Sequence, residues 1–241
     1  MIDFIYCDSY RQMSQRCASD MLDLVKTKPT ASIILATGAS PLLAYRLFVQ
    51  AVLAENVDVS QVTWVKLDEW AGLPPENPAT CDYFIRREIL DPLRIDPTRV
   101  IAINQMAEDL AAECGRIEGL LAQMPQIDLA VVGVGRNGHV GLNEPCEELP
   151  LGVHPVALDS KTKEHAMLKE AGETAVTRGV TLGMGNILSA AAVAVLYTGG
   201  EKHASFTKMQ ERCLTMNVPA TLLHLHNHVR CYVDETALKK V

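Results

Sequence analysis

The densest grouping of reactive side chains in this 241-residue chain runs from Gly133 through Gly135, Arg136, Asn137, Gly138 and His139 to Asn143-Glu144-Pro145. Histidine exchanges protons near neutral pH, and Asn137 and Glu144 flank it in quick succession. The segment therefore reads as a general acid/base, His139, held by an amide and a carboxylate. A polar turn leaving a buried strand would explain any one of these residues but not the three together. Gly133-x-Gly135-x-x-Gly138 also matches a dinucleotide-binding glycine pattern. That reading fails on context, because a helix should open there and Asn-Glu-Pro intervenes.

Two further groups could act with it. Asp68-Glu69 closes the apolar run Val62–Leu67, and carboxylates gathered at the end of a strand are costly unless one serves as a base or a ligand. Thr37-Gly38-Ala39-Ser40 precedes Pro41 and an apolar helical pattern. Free N–H groups at a helix start attract an anion, and the small residues allow its close approach, so this turn is a candidate phosphate cradle. Gly199-Gly200-Glu201-Lys202 is a similar turn, whose Lys202 would add a full charge. An ordinary βα turn and a solvated lysine are the competing readings of these two segments. Lys161, Lys163 and His165 are additional basic candidates for a phosphate.

The elements that must position these groups follow from periodicity. Ser32–Ala36, Val62–Leu67, Val100–Ile103, Ile127–Val132, Ala192–Thr198 and Val229–Val233 have the apolar, β-branched composition of strands buried on both faces. Helical spacing runs from Asp8 to Lys26, from Pro41 through Val52, from Ala107 to Met124 and from Gly199 toward Cys213. Thr80–Ile85 reads as a helix start that could form a lid over the cleft. Alternation of strand and helix predicts an α/β fold in three layers, a mostly parallel, modified Rossmann-like sheet with helices on both faces. Sites in such sheets open at the carboxyl ends of the strands, where every candidate group above lies.

Composition narrows the function. With 48% hydrophobic and 21% charged residues the chain is read as one domain over residues 1–241. A net charge of −7 with no basic stretch argues against a nucleic-acid surface. No apolar run reaches membrane-spanning length and the amino terminus lacks a signal-peptide pattern, so no membrane partner and a cytoplasmic location are expected. Seven cysteines without a C-x-x-C pair, Cys81 among them, read as reduced thiols that mostly fill the core. Cys146 alone stands close to the reactive segment. His224, His226 and His228 alternate as metal ligands sometimes do, but no further ligand accompanies them, and no metal is expected.

Taken together, Ala-Thr-Gly-Ala-Ser-Pro at 36–41, Leu-Asp-Glu-Trp at 67–70, Gly-Val-Gly-Arg-Asn-Gly-His at 133–139, Asn-Glu-Pro at 143–145 and Gly-Gly-Glu-Lys at 199–202 resemble the glucosamine-6-phosphate deaminase and 6-phosphogluconolactonase family. The resemblance runs from about residue 30 to the end. It implies a fold of the sugar-phosphate isomerase type, a small-molecule amino-sugar phosphate as substrate, and no metal or organic cofactor. It assigns His139 to ring opening, with Asn137 and Glu144 orienting it, and Asp68 to proton transfer between C2 and C1. Glu69 would assist or hold the adjacent loop. Thr37, Gly38, Ala39, Ser40 and Lys202 would hold the phosphate, with Arg178 taking the place of a family arginine missing after the strand near 156–158. Asn-Glu-Pro is similar to the deaminase branch, and Asn137, where hexosamine deaminases typically carry Asp, resembles the galactosamine-6-phosphate deaminase/isomerases. A glucosamine-6-phosphate deaminase, a 6-phosphogluconolactonase and a non-catalytic sugar-phosphate sensor are the alternatives, in that order; a homo-oligomer is compatible with the sequence.

Overall fold

A computed structural model describes residues 2–158 and 176–239. Its main sheet has seven strands, β1 (Ile2–Cys7), β2 (Ser32–Leu35), β3 (Thr63–Lys66), β5 (Val100–Ile101), β6 (Leu129–Gly133), β9 (Ala192–Tyr197) and β10 (Val229–Asp234), in the order β1-β10-β9-β6-β2-β3-β5. All neighbouring pairs are parallel. The helices are α1 (Tyr10–Thr27), α2 (Ala39–Glu55), α3 (Cys81–Ile85), α4 (Leu110–Ala122), α5 (Met184–Leu188) and α6 (His203–Gln210).

Successive residues of a strand point to opposite faces, and here both faces are buried. On β2, Ile33 and Leu35 join a core formed with Met13, Cys17 and Met21 of α1 and Tyr45 and Phe48 of α2. Ile34 and Ala36 join the opposite core, with Ile117 of α4, Ile187 of α5 and Phe206 of α6. The expected three-layer α/β architecture with a parallel sheet is therefore present. Chain order reverses beside β2: β3 and β5 lie on one side of it, β6, β9 and β10 on the other. The crevice beyond the carboxyl ends of β2 and β6 is thus the topological switch point, where ligands of open α/β sheets bind.

Three local expectations are corrected. Asp68-Glu69-Trp70 does not close β3 but forms a strand of its own, β4 (Asp68–Trp70), in a second, antiparallel sheet of order β4-β8-β7, with β7 at His154–Ala157 and β8 at Arg178–Thr181. The chain changes sheets at Leu67, whose N–H still bonds Leu35 of the main sheet (3.1 Å) while its carbonyl accepts from Leu182 (2.9 Å). Trp70, Leu73, Cys81, Leu142 and Leu158 give the small sheet its own apolar cluster. Next, α2 begins at Ala39, two residues before Pro41, because Gly38 at its N-cap adopts φ +104, a conformation that admits Gly and few other residues. Finally, His224, His226 and His228 do not share a face of a strand. The first two ring Nε2 atoms meet the carbonyls of Met209 (2.6 Å) and Ala190 (2.8 Å), and Leu225 closes a 3-10 turn between them.

Because Ile34 is fully buried on the central strand, Ile34→Ala is expected to destabilise the protein by about 3 kcal/mol in urea unfolding. A loss under about 1 kcal/mol would mean that this face of β2 is not closely packed.

Candidate active site

The turn after β2 is fixed before any ligand arrives. The Tyr45 hydroxyl donates to the Ala36 carbonyl (2.8 Å), and the Tyr10 hydroxyl donates to the Ala39 carbonyl (2.6 Å) while accepting from the Leu43 N–H (3.1 Å). The first N–H groups of the 17-residue helix α2 carry the positive end of its dipole. Lys202, after β9, reaches across β6 to this turn and donates from Nζ to Ser40 Oγ at 2.9 Å. Burial pushes its ammonium down to about 8; Glu201 and Asp234 oppose the shift and Arg136 adds to it.

The loop after β6 folds back on itself. Gly135 N–H donates to the His139 carbonyl (2.9 Å) and Gly138 N–H to the Gly135 carbonyl (3.0 Å), with Gly138 at φ +86. The imidazole of His139 lies directly over Gly135, where a Cβ would stand 2.3 Å from ring atoms, so Gly135 is required by this close approach. Glu144 serves both partners: Oε2 accepts from Asn137 Nδ2 at 2.7 Å and Oε1 lies 3.1 Å from His139 Nδ1. The second contact is close enough for an ion pair whenever the imidazole is protonated, and it is not a hydrogen bond. Asn137 Oδ1 in turn accepts the His139 backbone N–H at 3.2 Å. Asn143, fully buried, bonds the carbonyls of Val140 (2.8 Å) and Leu182 (2.9 Å) and fastens the loop to the start of α5.

Asp68 is 7% exposed, and burial raises its carboxyl to about 6 against the opposing pull of the Cys81 thiol and His139. A carboxylate with this value is mostly ionised at neutral pH yet basic enough to accept a proton from a reacting centre. Glu69 does something different. Its carboxylate accepts the N–H groups of Trp70 (2.8 Å), Cys81 (2.9 Å) and Asp82 (2.6 Å). These amides offset the burial that lifts it to about 7. Glu69 therefore holds the start of α3 and is not free to bind a substrate, which corrects its place among the binding residues. The proposed lid at Thr80–Ile85 is likewise pinned there, also by the ion pair of Asp82 with the buried Lys66.

Arg178 is corrected as well. It occupies the exposed end of β8 and lines a separate depression with Glu108, Asp109, Leu110 and Pro155, because Thr181, at the other end of that strand, is the residue paired with Asp68. Lys161, Lys163 and His165 lie outside the described residues. Cys146 has its thiol pushed up by burial and bonded toward Glu148, which argues against a reactive thiolate. The sequence reading missed three participants: Arg136, whose charge acts on Lys202; the Lys66–Asp82 pair; and Cys81, a thiol 3.3 Å from Thr37 Oγ1 and within reach of Asp68. Arg136 was legible as a basic residue inside the motif, whereas Lys66 and Cys81 look like ordinary strand and core residues. Among the described residues no three His, Cys, Asp or Glu side chains cluster as a metal site, and no helix is long and apolar enough to cross a membrane.

An anion-ready helix start with a lysine on it, a buried carboxylate and a carboxylate-held imidazole thus surround one switch-point crevice, defining an α/β protein of the sugar-phosphate isomerase type. Residues 8–232 match the family glucosamine-6-phosphate isomerases/6-phosphogluconolactonase. AgaI, a candidate deaminase of Escherichia coli (strain K12), is 40% identical over 227 residues, covering 94% of this chain and 90% of that protein. Glucosamine-6-phosphate deaminase 1 of Bacillus subtilis (strain 168) is 32% identical over 232 residues, 96% of either chain. The solved structure of a monomeric glucosamine-6-phosphate deaminase, described as a missing link of the NagB superfamily, matches with TM-score 0.94 at 32% identity, covering 98% of this chain and 100% of that one. The chain belongs to the glucosamine-6-phosphate isomerase/6-phosphogluconolactonase family.

The raised value of Asp68 has a consequence for stability. The fold favours the protonated carboxyl, so its contribution is complete below the ordinary value of 3.8 and is lost as pH rises through about 6. Asp68→Asn, which cannot ionise, is expected to exceed the wild type at pH 8 by on the order of 2 kcal/mol and to match it near pH 4, read by urea unfolding at both values. Equal stability of the two proteins at pH 8 would mean that the Asp68 site is hydrated.

Proposed function

We propose that this chain is an amino-sugar-phosphate deaminase/isomerase acting on galactosamine 6-phosphate, giving tagatose 6-phosphate and ammonia, with residues 1–241 forming one catalytic domain. What supports the reaction class is the placement of an unpartnered, buried Asp68 oxygen and the His139–Glu144 pair around the crevice that the Ser40–Lys202 contact closes. The phosphate is bound by the N–H groups of Thr37, Gly38, Ala39 and Ser40 around the start of α2, by the Ser40 hydroxyl and by Lys202. Its binding energy holds the reacting carbons against Asp68.

His139 moves a proton from the C1 hydroxyl to the ring oxygen, opening the sugar to its aldehyde. Glu144 stabilises the imidazolium that forms in passing, and Asn137 keeps Glu144 and the loop in place. Asp68 then takes the C2 proton; the C2–H electron pair forms the C1–C2 double bond while the C1 carbonyl pair moves onto its oxygen, which takes a proton from the C2 ammonium; Asp68 then returns its proton to C1 as the nitrogen lone pair forms the C2–N double bond. The C2 imine so produced adds water and expels ammonia, leaving the ketose phosphate. One carboxylate poised over adjacent carbons serves first as base and then as acid.

The galacto assignment is supported by Asn137 ahead of Gly138-His139, as in the galactosamine-6-phosphate deaminase/isomerases that the motif resembles. Glucosamine 6-phosphate is the second reading, favoured by the TM-score of 0.94 to a glucosamine-6-phosphate deaminase. Ammonia and ketose phosphate production from the two sugars, measured side by side, decides between them. A higher kcat/KM for galactosamine 6-phosphate is expected; preference for the gluco sugar overturns the galacto assignment, and no ammonia from either overturns both.

The acid/base values set the pH profile. Asp68 must be ionised, so kcat/KM falls as pH drops below about 6, and Lys202 loses its charge as pH rises through about 8. Lys202→Arg is expected to remove the alkaline limb up to pH 10, since a guanidinium does not titrate there, with KM raised several-fold. An unmoved alkaline limb in that variant assigns the ionisation to another group.

A further inference from the structure

Cys81 is a buried thiol that the mechanism above does not use. It is 1% exposed, at the first residue of α3, and its backbone N–H is spent on Glu69. Its thiol sits between two working parts of the site. On one side is the hydroxyl of Thr37 in the phosphate turn, 3.3 Å away. On the other is the Asp68 carboxylate, whose charge acts on the thiol and whose Oδ1 is buried without a hydrogen-bond partner.

Proton count fixes the direction of such a chain. An ionised carboxylate only accepts, and a thiol has one proton. If the thiol serves Asp68, its S–H must point at the carboxylate and its sulfur must accept the O–H of Thr37. We propose that Cys81 is a positioning residue: its thiol, oriented by the Thr37 hydroxyl, donates to the ionised Asp68 carboxylate and links the phosphate turn to the proton-transferring base. The inference rests on the reading of Asp68 as that base.

The other groups facing Asp68 are the His139 imidazole from the β6 loop, the Glu69 carboxyl of β4 and the Tyr45 hydroxyl of α2. His139 favours the ionised form and Glu69, where charged, disfavours it. Tyr45 is engaged with the Ala36 carbonyl. The thiol is therefore a neutral donor for the carboxylate, and it works without adding charge to a site that must also receive a cationic amino sugar.

Removing a donor from the charged form of an acid raises its ionisation range. Cys81→Ala is expected to move the acid limb of kcat/KM upward by about half to one pH unit, equivalent to a three- to tenfold loss at pH 5.5, while KM at pH 8 stays within twofold. Cys81→Ser, which keeps a donor, is expected to bring the limb back toward the wild-type position. The substrate's own phosphate ionisation is common to all three proteins, so a difference among them belongs to the enzyme. An acid limb unmoved in Cys81→Ala, or moved equally in Cys81→Ser, overturns the proposal.

A measurement without turnover separates this inference from the one beneath it. The infrared S–H stretch of Cys81, isolated by difference against Cys81→Ser, should lie lower in the wild type at pH 8 than in Asp68→Asn, because a carboxylate is the stronger acceptor. Identical frequencies overturn the thiol–carboxylate contact whatever Asp68 does. Full activity in Asp68→Asn instead removes Asp68 from the mechanism, and with it the catalytic purpose of the contact.

Discussion

The cost of keeping the Asp68 carboxylate out of water organises much of what surrounds it. A buried carboxylate favours protonation, and a protonated one cannot begin proton abstraction; a fully solvated one would be too weak a base. The structure holds Asp68 between these limits, near 6, by surrounding it with an imidazole and a thiol and by withholding a strong cationic partner. The ammonium closest in sequence, Lys66, is turned toward Asp82 instead. The neighbouring acid, Glu69, is satisfied by three amides of the α3 turn, so that two adjacent carboxyls have separate tasks. One faces the crevice and the other fastens the loop beside it.

That separation depends on the chain changing sheets at Leu67. Side chains alternate along a strand, so if Asp68-Glu69-Trp70 had continued the parallel sheet, its side chains would have pointed into the two helical layers. Pairing instead with β8, Asp68 lies opposite Thr181, whose hydroxyl accepts the Leu142 N–H at 3.2 Å. Asp68 and the loop bearing His139 are therefore braced by one short antiparallel sheet, while the turn after β2 is braced by the parallel one. The Cys81–Thr37 contact ties the two frames together.

The parallel core was legible because strands buried on both faces leave uninterrupted apolar runs, and the helices between them keep one apolar side. Ser40, Asn137, His139, Glu144 and Lys202 were legible for a different reason: glycine-rich turns after such strands must lie at the carboxyl edge of the sheet, and few polar residues stand there. The small sheet was not legible. Strands as short as Asp68–Trp70 carry no periodicity, and their pairing partners lie more than a hundred residues away.

Sequence alone thus determined the α/β class, the edge of the sheet at which the candidate groups gather, and their residue types. These follow from local patterns of burial and turn formation. The tertiary structure decided which of two adjacent carboxylates has an unpartnered oxygen, removed Arg178 to another surface, set Arg136 near Lys202 and put the Cys81 thiol near Asp68. Those outcomes depend on desolvation and on contacts between segments distant in the chain, and both exist only once the strands have found their partners.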